Sequence, residues 1–343
     1  MFSTDLYKAL AGAVREYEQA CVIADKALCG TDLFADVDRL AFPTLLLDVS
    51  EAEKDIRTVS RIWDFLFAQQ MTRRGVLIAI GGGVLTDLAG FAAATYKRGI
   101  DYINIPTTLL AMVDASSGGK TGCNYHGLKN SIGAFHTPRQ TLICPQWLAT
   151  LPAREMLSGF AEMLKTGLID DSSTLWNSLL RYDLEQMNWT SLTPLIEQCL
   201  AVKERIVTAD PQEEGLRKVL NFGHTFGHAI EELSASRDSL SALPHGYAVL
   251  YGLIAELYLS VTQLGCPREP LQQLTQLMLH HYGRPNCKCS DREPLIALMQ
   301  QDKKNERTAQ INCTLIQSVG RPVINQVVTP SEALEALDYL FSL

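Results

Sequence analysis

Several shortages in this 343-residue sequence narrow what the chain can be. No CxxC pair occurs among its nine cysteines, and Cys287-Lys288-Cys289 is spaced too tightly for half of a zinc site. An odd, scattered set fits reduced thiols, and so an intracellular chain, with the cytoplasm as the expected compartment. No uninterrupted apolar run approaches a membrane span. The start, Met1-Phe-Ser-Thr-Asp-Leu-Tyr-Lys8, lacks the basic region and apolar core of a secretion signal. Basic charge is also short. Thirty Lys and Arg against 38 Asp and Glu leave a formal net charge of -8, which argues against general binding to nucleic acid or a membrane surface. A local basic pocket remains compatible with it. Seven histidines leave few candidates for a metal site. Internal repeats, low-complexity linkers and the spaced GxGxxG fingerprint are all missing.

What is present is ordinary globular composition, 47% hydrophobic and 20% charged, at a length that suggests two domains. Gln19 to Asp25 and Phe42 to Asp48 read as short strands, each ending in an acid. Helical spacing follows through Ile56, Val59, Ile62, Trp63, Leu66 and Phe67. Gly75 to Ile80 is an apolar strand that runs into Gly81-Gly82-Gly83, with a second helix over Leu88 to Ala94. This rhythm predicts an open parallel α/β sheet, whose ligands sit at the carboxyl ends of the strands. The glycines admit two readings. One is a plain tight turn; the other is a loop that lets backbone amides approach a pyrophosphate. Asp25, Asp48 and Glu51 suit a ribose or adenine hydrogen bond, and equally suit loop acids.

The following segment favours a ligand. Arg98 leads into an alternating strand closed by Pro106-Thr107-Thr108. Asp114, Gly118, Gly119, Lys120, Asn124, Lys129 and Asn130 then place donors on small, mobile residues, as phosphate and hydroxyl recognition requires. A solvated charged loop is the other reading. The expected first domain is 1–150.

Residues 151–343 change character to helices: Leu157–Leu168, Leu175–Leu180, Pro194–Val207, Arg217–Leu233, Tyr247–Leu264 and a capped helix from Pro330. Only Gln310–Ile316 reads as a strand. On a helix through Arg217, Asn221, His224 and His228, those four side chains fall within about 60° of one another, with apolar residues around the rest. Such a stripe points into a lined cavity, a floor for metal and anion, because buried polar groups need partners. Satisfied core histidines would give the same pattern. Glu162 and Lys165 stand at i, i+3 on the helix Leu157–Leu168.

With these residues in view, the sequence resembles the 3-dehydroquinate synthases, members of the sugar-phosphate cyclases. The matching blocks are Gly81-Gly-Gly-Val-x-x-Asp87, Arg98-Gly99, Pro106-Thr-Thr-Leu-Leu110, Asp114 with Gly118-Gly-Lys120, and Lys129-Asn130. They continue in Thr150-Leu-Pro-x-Arg154, Glu162-x-x-Lys165, Gly215-Leu-Arg217, Asn221-x-Gly-His224-x-x-x-His228, His245-Gly246 and Asp302-Lys303-Lys304. The resemblance implies a Rossmann-like NAD-binding α/β domain followed by an all-helical domain that holds metal and substrate. It implies a phosphorus–oxygen lyase that converts 3-deoxy-D-arabino-heptulosonate 7-phosphate into 3-dehydroquinate, with NAD oxidising and then reducing within one turnover. A homodimer is expected as well.

Residue roles follow from the same resemblance. Glu162, His224 and His245 are the expected metal ligands, a two-imidazole, one-carboxylate set that suits zinc, or cobalt, with a position left open. By spacing, His224 and His228 could also bind together. NAD falls to Asp25, Glu51, Lys54, Gly82, Gly83, Asp87, Thr107, Thr108, Asp114, Lys120, Lys129 and Thr150. Lys120, Asn130, Arg217 and His228 are expected on phosphate. Lys165, Lys203, Arg217 and Asn221, with Arg98, Asp114 and Lys303 or Lys304, complete the substrate set. Two rival readings share the fold: a cyclase acting on another sugar phosphate, and a metal-dependent polyol dehydrogenase of the glycerol type.

Overall fold

Apolar strands that are buried on both faces need a helix after each, and the first half of the chain is built that way. The computed structural model describes residues 1–126, 128–237, 242–301 and 310–343. The chain divides into two compact units, Met1–Pro152 with Asn188–Thr193, and Ala153–Met187 with Pro194–Leu343.

In the first unit, helix α1 (Leu6–Ala13) precedes strand β1 (Ala20–Asp25), helix α2 (Asp32–Asp38), strand β2 (Thr44–Leu47) and helix α3 (Ile56–Ala68). Strand β3 (Val76–Gly81), fully buried, leads directly into helix α4 (Gly83–Thr95), and strand β4 (Asp101–Pro106) follows. Next come β5 (Lys120–Tyr125), β6 (Leu128–Phe135) and the short β7 (Gln140–Thr141). The parallel sheet has the order β2-β1-β3-β4-β7. The chain moves outward from β1 to β2 and then returns to β1's other side as β3, so the strand order reverses between β1 and β3. Open sheets bind ligands at such a switch point. Asp25 ends one of these strands and Gly81 the other.

The expected parallel sheet is present. The donor-rich segment after Asp114, expected as small, mobile residues, is largely strand. It pairs as an antiparallel hairpin, β5 with β6, in which Gly122 faces Gly133. A Cβ on Gly122 would lie 2.6 Å from the Ile132 carbonyl oxygen, so this glycine is required for the close approach of the two strands. Thr121 and Cys123 are buried, and Thr121 fills the space left by Gly90 on α4.

The second unit contains helices α5 (Ala153–Ile169), α6 (Thr174–Leu180), most of α7 (Trp189–Ala209), α8 (His224–Arg237), α9 (His245–Leu264), α10 (Arg268–Leu277), α11 (Arg292–Gln301) and α12 (Pro330–Ser342). Helix α9 is long and apolar enough to cross a membrane by length and composition, although Glu256 interrupts its apolar run. Its apolar surface is used inside the unit, where α5, α8, α10, α12 and β8 (Ile311–Ile316) pack around it. The unit is predominantly but not wholly helical. Strand β8 pairs antiparallel with β9 (Pro322–Val328), whose half-exposed, mixed pattern carries little signal in the sequence.

Candidate active site

The segment from Arg217 to His228 is not one helix. Residues Leu216–Asn221 form a 3-10 turn, Phe222 is extended, and α8 starts at His224. Gly223 sits at φ +79, and a Cβ there would lie 2.6 Å from Leu253 Cγ. A glycine just beyond the last periodic residue is a helix-stop signal, which the spacing of polar residues overrode in the sequence reading. The break lets Glu256, fully buried on α9, accept hydrogen bonds from Gly223 N–H at 2.7 Å and Thr225 N–H at 3.1 Å. A carboxylate from one helix thus caps the start of another, where orphan amides and the helix dipole both favour negative charge.

His224, His228 and Glu231 then share a stripe on α8, at i, i+4 and i+7. Across from them stand Glu162 on α5 and His245 at the first position of α9. His245 Nε2 lies 3.4 Å and His224 Nε2 3.7 Å from Glu162 Oε1. One ligand atom from each of the three lies within 4.8 Å of those of the others, the only such cluster among the described residues. The far nitrogens are engaged: His224 Nδ1 is 3.1 Å from the Phe222 carbonyl, and His245 Nδ1 is 3.1 Å from Glu231 Oε2. The other oxygen of Glu162 meets Lys165 Nζ at 2.5 Å. Two Nε2 atoms and one carboxylate oxygen therefore converge with their orientation set from behind, an arrangement suited to a borderline divalent metal. Burial pulls the His245 imidazolium pKa down, but the carboxylates of Glu231 and Glu162 outweigh it and hold it up at about 10.

Glycines let the ligand-bearing helices meet. A Cβ on Gly246 would lie 1.9 Å from the Ser158 carbonyl oxygen of α5, and one on Gly252 would lie 1.9 Å from that of Gly223. The other residues expected on substrate are spread over the turn before α8, α7 and α8 itself. Buried Arg217 donates to the Pro211 carbonyl at 2.7 Å, and Asn221 Nδ2 donates to Glu213 Oε1 at 2.9 Å. Their turn packs on α5 and on the β8–β9 hairpin. Lys203 is buried on α7, and His228 forms an edge-to-face pair with His224, ring centroids 5.1 Å apart. Lys303 and Lys304 lie outside the described residues.

In the first unit, the carboxyl ends of the strands gather Asp25, Glu51, the Gly82–Gly83 turn, Thr107 and Thr108. The start of α4 has no side-chain cap, leaving its first amides to a ligand or solvent. A Cβ on Gly83 would lie 2.9 Å from Ala115 Cβ, so this glycine is set first by packing. Lys54 and Asp87 bind each other at 2.6 Å, the ammonium buried. Desolvation raises the Asp87 carboxyl above its ordinary range, against the opposing pull of Lys54. Glu51 Oε1 accepts from Asn124 Nδ2 at 2.8 Å, and Asn124 Oδ1 accepts from Asn130 N–H at 2.8 Å, joining the strand-end loop to the β5–β6 hairpin. Lys120 opens β5, Lys129 lies on β6, and Asp114 falls in the one-turn π-helix Ala111–Ala115. Thr150 Oγ1 turns back to the Trp147 carbonyl at 3.4 Å. Arg98 is different: it precedes β4, at the amino end of the sheet, and is exposed. The structure does not gather it with the strand-end residues.

The family models for the N-terminal and C-terminal parts of 3-dehydroquinate synthase match residues 44–158 and 159–305. The 3-dehydroquinate synthase of Parabacteroides distasonis is 45% identical over 297 residues, covering 87% of this chain and 83% of that protein. This chain belongs to the 3-dehydroquinate synthase family. Among solved structures, the 2-epi-5-epi-valiolone synthase of Streptomyces hygroscopicus, with NAD+ and Zn2+ bound, superposes with a TM-score of 0.82 at 28% identity. That match covers 100% of this chain and 96% of the other. A 2-deoxy-scyllo-inosose synthase, solved with carbaglucose-6-phosphate, NAD+ and Co2+, reaches a TM-score of 0.85 over 98% of this chain and 95% of its own. At 22% identity it speaks for the fold alone.

Within the family frame, the sequence reading missed Glu231, Glu213 and Glu256. Glu231 was within reach, since seven residues beyond His224 lies only about 20° off the same stripe. Glu256 is the one charged residue between Gly246 and Leu264, which is itself a signal of a buried role.

Proposed function

We propose that the chain is a 3-dehydroquinate synthase that takes 3-deoxy-D-arabino-heptulosonate 7-phosphate to 3-dehydroquinate and phosphate, using NAD and one divalent metal, zinc or cobalt. The observation that supports this most is the convergence of Glu162, His224 and His245 in a chain 45% identical to a relative of that name. When bound, the metal would polarise substrate oxygens, and NAD would accept a hydride and return it, so that neither is consumed.

The protein's own groups have distinct tasks. Glu162 offers one oxygen to the ligand cluster while Lys165 holds the other, which orients the carboxylate and offsets its charge. Lys165, Lys203 and Arg217 are three buried cations in the helical unit, and we assign them to the substrate's anionic and hydroxyl groups. His228, one turn from His224, is assigned to proton handling beside the substrate. Asn221 is oriented by Glu213 and takes a hydroxyl. In the other unit, the uncapped start of α4 fits the NAD diphosphate, with Asp25, Glu51, Thr107 and Thr108 for the rest of the cofactor. The phosphate roles of Lys120 and Asn130, the Asp114 and Lys129 contacts, and the roles of Arg98 and Lys303 rest on the resemblance. We also assign the chain to the phosphorus–oxygen lyases, working in the cytoplasm as a homodimer. The nine free thiols support the compartment.

One assay tests the reading. Purified chain, NAD, zinc and the heptulosonate phosphate should release phosphate and a carbocyclic product in equal amounts, with no net NADH. NADH accumulating without phosphate release would replace the proposal with a polyol dehydrogenase. Turnover of glucose 6-phosphate or sedoheptulose 7-phosphate instead would make it a different cyclase.

A further inference from the structure

Two imidazoles face the Glu162 carboxylate, and they are held from behind in different ways. His224 Nδ1 is 3.1 Å from the carbonyl oxygen of Phe222, two residues before it in the chain. His245 is held from another helix: its Nδ1 meets Glu231 Oε2 at 3.1 Å. The Glu231 side chain is 10% exposed, while that of His245 retains 29%. The more exposed ligand is thus the one steadied by a buried carboxylate.

We propose that Glu231 is a positioning residue of the metal centre. Accepting from Nδ1–H, it fixes the His245 tautomer that leaves Nε2 as the ligand atom and aims that atom at Glu162 Oε1, 3.4 Å away. It also ties two ligand helices together. Glu231 rides on α8 with His224, so the stripe that supplies one metal ligand orients the next. Glu162 shares its charge with Lys165, and Glu231 brings a second carboxylate to a site meant for a dication. The inference rests on the metal reading above and goes further by naming what holds the third ligand.

The test is metal affinity, read without turnover. Metal-stripped full-length protein is titrated with zinc against a competing chelator, and with cobalt by visible absorption. The set is wild type, His245→Ala as the positive control for ligand loss, and Glu231→Ala, Glu231→Gln and Glu231→Asp. Glu232→Gln serves as an exposed neighbour control. We expect about a 10- to 100-fold weaker zinc affinity for Glu231→Ala. Glu231→Gln, whose amide oxygen still accepts, should lose less. NAD affinity should stay constant throughout. A protected Nδ1–H resonance of His245 in zinc-loaded wild type should be lost in Glu231→Ala and retained in Glu231→Gln. Should Glu231→Ala not fold, Glu231→Asp, with its acceptor withdrawn by one methylene, carries the same expectation of weakened binding. Wild-type affinity in Glu231→Ala and Glu231→Asp, with His245→Ala impaired, would overturn this proposal and leave the metal reading standing. No stoichiometric binding by wild type would overturn both.

Discussion

Replacing Glu256 tests whether the break at Gly223 is a built feature of the site. The carboxylate is fully buried and accepts from the two amides that flank His224, at 2.7 and 3.1 Å. In Glu256→Ala both amides lose this acceptor inside the unit. A buried donor left unsatisfied costs about 1–3 kcal/mol, so the pair amounts to about 2–6 kcal/mol. The interaction with the helix start, up to about 2 kcal/mol in buried geometries, overlaps that sum and is not added to it. We expect about 3–5 kcal/mol for Glu256→Ala. Glu256→Gln keeps one acceptor oxygen and loses the charge, for about 1–3 kcal/mol. Urea unfolding of the full chain, followed by helical circular dichroism, measures both against wild type. Zinc affinity should fall alongside, because the capped turn carries His224. Stabilities within about 0.5 kcal/mol of wild type for both variants, the range of an ordinary surface change, would refute the cap.

Three further substitutions follow from the same geometry. Gly252→Ala would set a Cβ 1.9 Å from the Gly223 carbonyl oxygen and 2.6 Å from Gly227 N, so α8 and α9 must part. We expect a loss of about 1–3 kcal/mol or more in urea unfolding, with weaker metal binding. Lys54→Met leaves the Asp87 carboxylate without its 2.6 Å partner at the start of α4. We expect about 2 kcal/mol of destabilisation, below the figure for a fully enclosed pair because Asp87 keeps some water contact, and weaker NAD binding by fluorescence titration. Asp210 accepts from the amides of Arg217, Gly215 and Glu214, and these bonds hold its carboxyl below the ordinary range. A depressed carboxylate contributes its stability above the unfolded pKa and loses it as pH falls through the folded one. The stability gap between wild type and Asp210→Asn should therefore be flat at neutral pH and shrink below about pH 4. A gap that widens on acidification would contradict the assignment.

Most of the parallel sheet was legible, because β3 is an apolar run ending in three glycines and such runs have few alternative folds. Helix α4 was read as starting at Leu88, whereas it starts at Gly83, the turn being shorter than three glycines imply. The grouping of Glu162, His224 and His245 as a possible metal site was legible through family spacing. Spacing alone allows His224 and His228 to bind together, whereas the cluster among the described residues is Glu162, His224 and His245. The reading failed where a local pattern was outweighed by a distant partner. The 3.6-residue stripe from Arg217 to His228 continued through Gly223 on paper, and only a carboxylate 33 residues away makes the break stable. Lys54 and Asp87, also 33 residues apart, meet each other, a pairing that their separate places in the sequence do not signal. The β5–β6 hairpin was hidden because its glycines serve strand approach, which composition does not separate from loop mobility.

The claim on which the rest depends is that Glu162, His224 and His245 together hold one metal ion. Cobalt reconstitution of the stripped protein, read by elemental analysis and visible absorption, tests it most directly in wild type, Glu162→Gln, His224→Ala, His245→Ala and His228→Ala. We expect about one equivalent of cobalt, with the visible bands of a low-symmetry site, in wild type and His228→Ala. The three ligand variants should show neither at the same cobalt concentration. Loss of the bands in His228→Ala with retention in His245→Ala, or no stoichiometric uptake by wild type, would contradict the account.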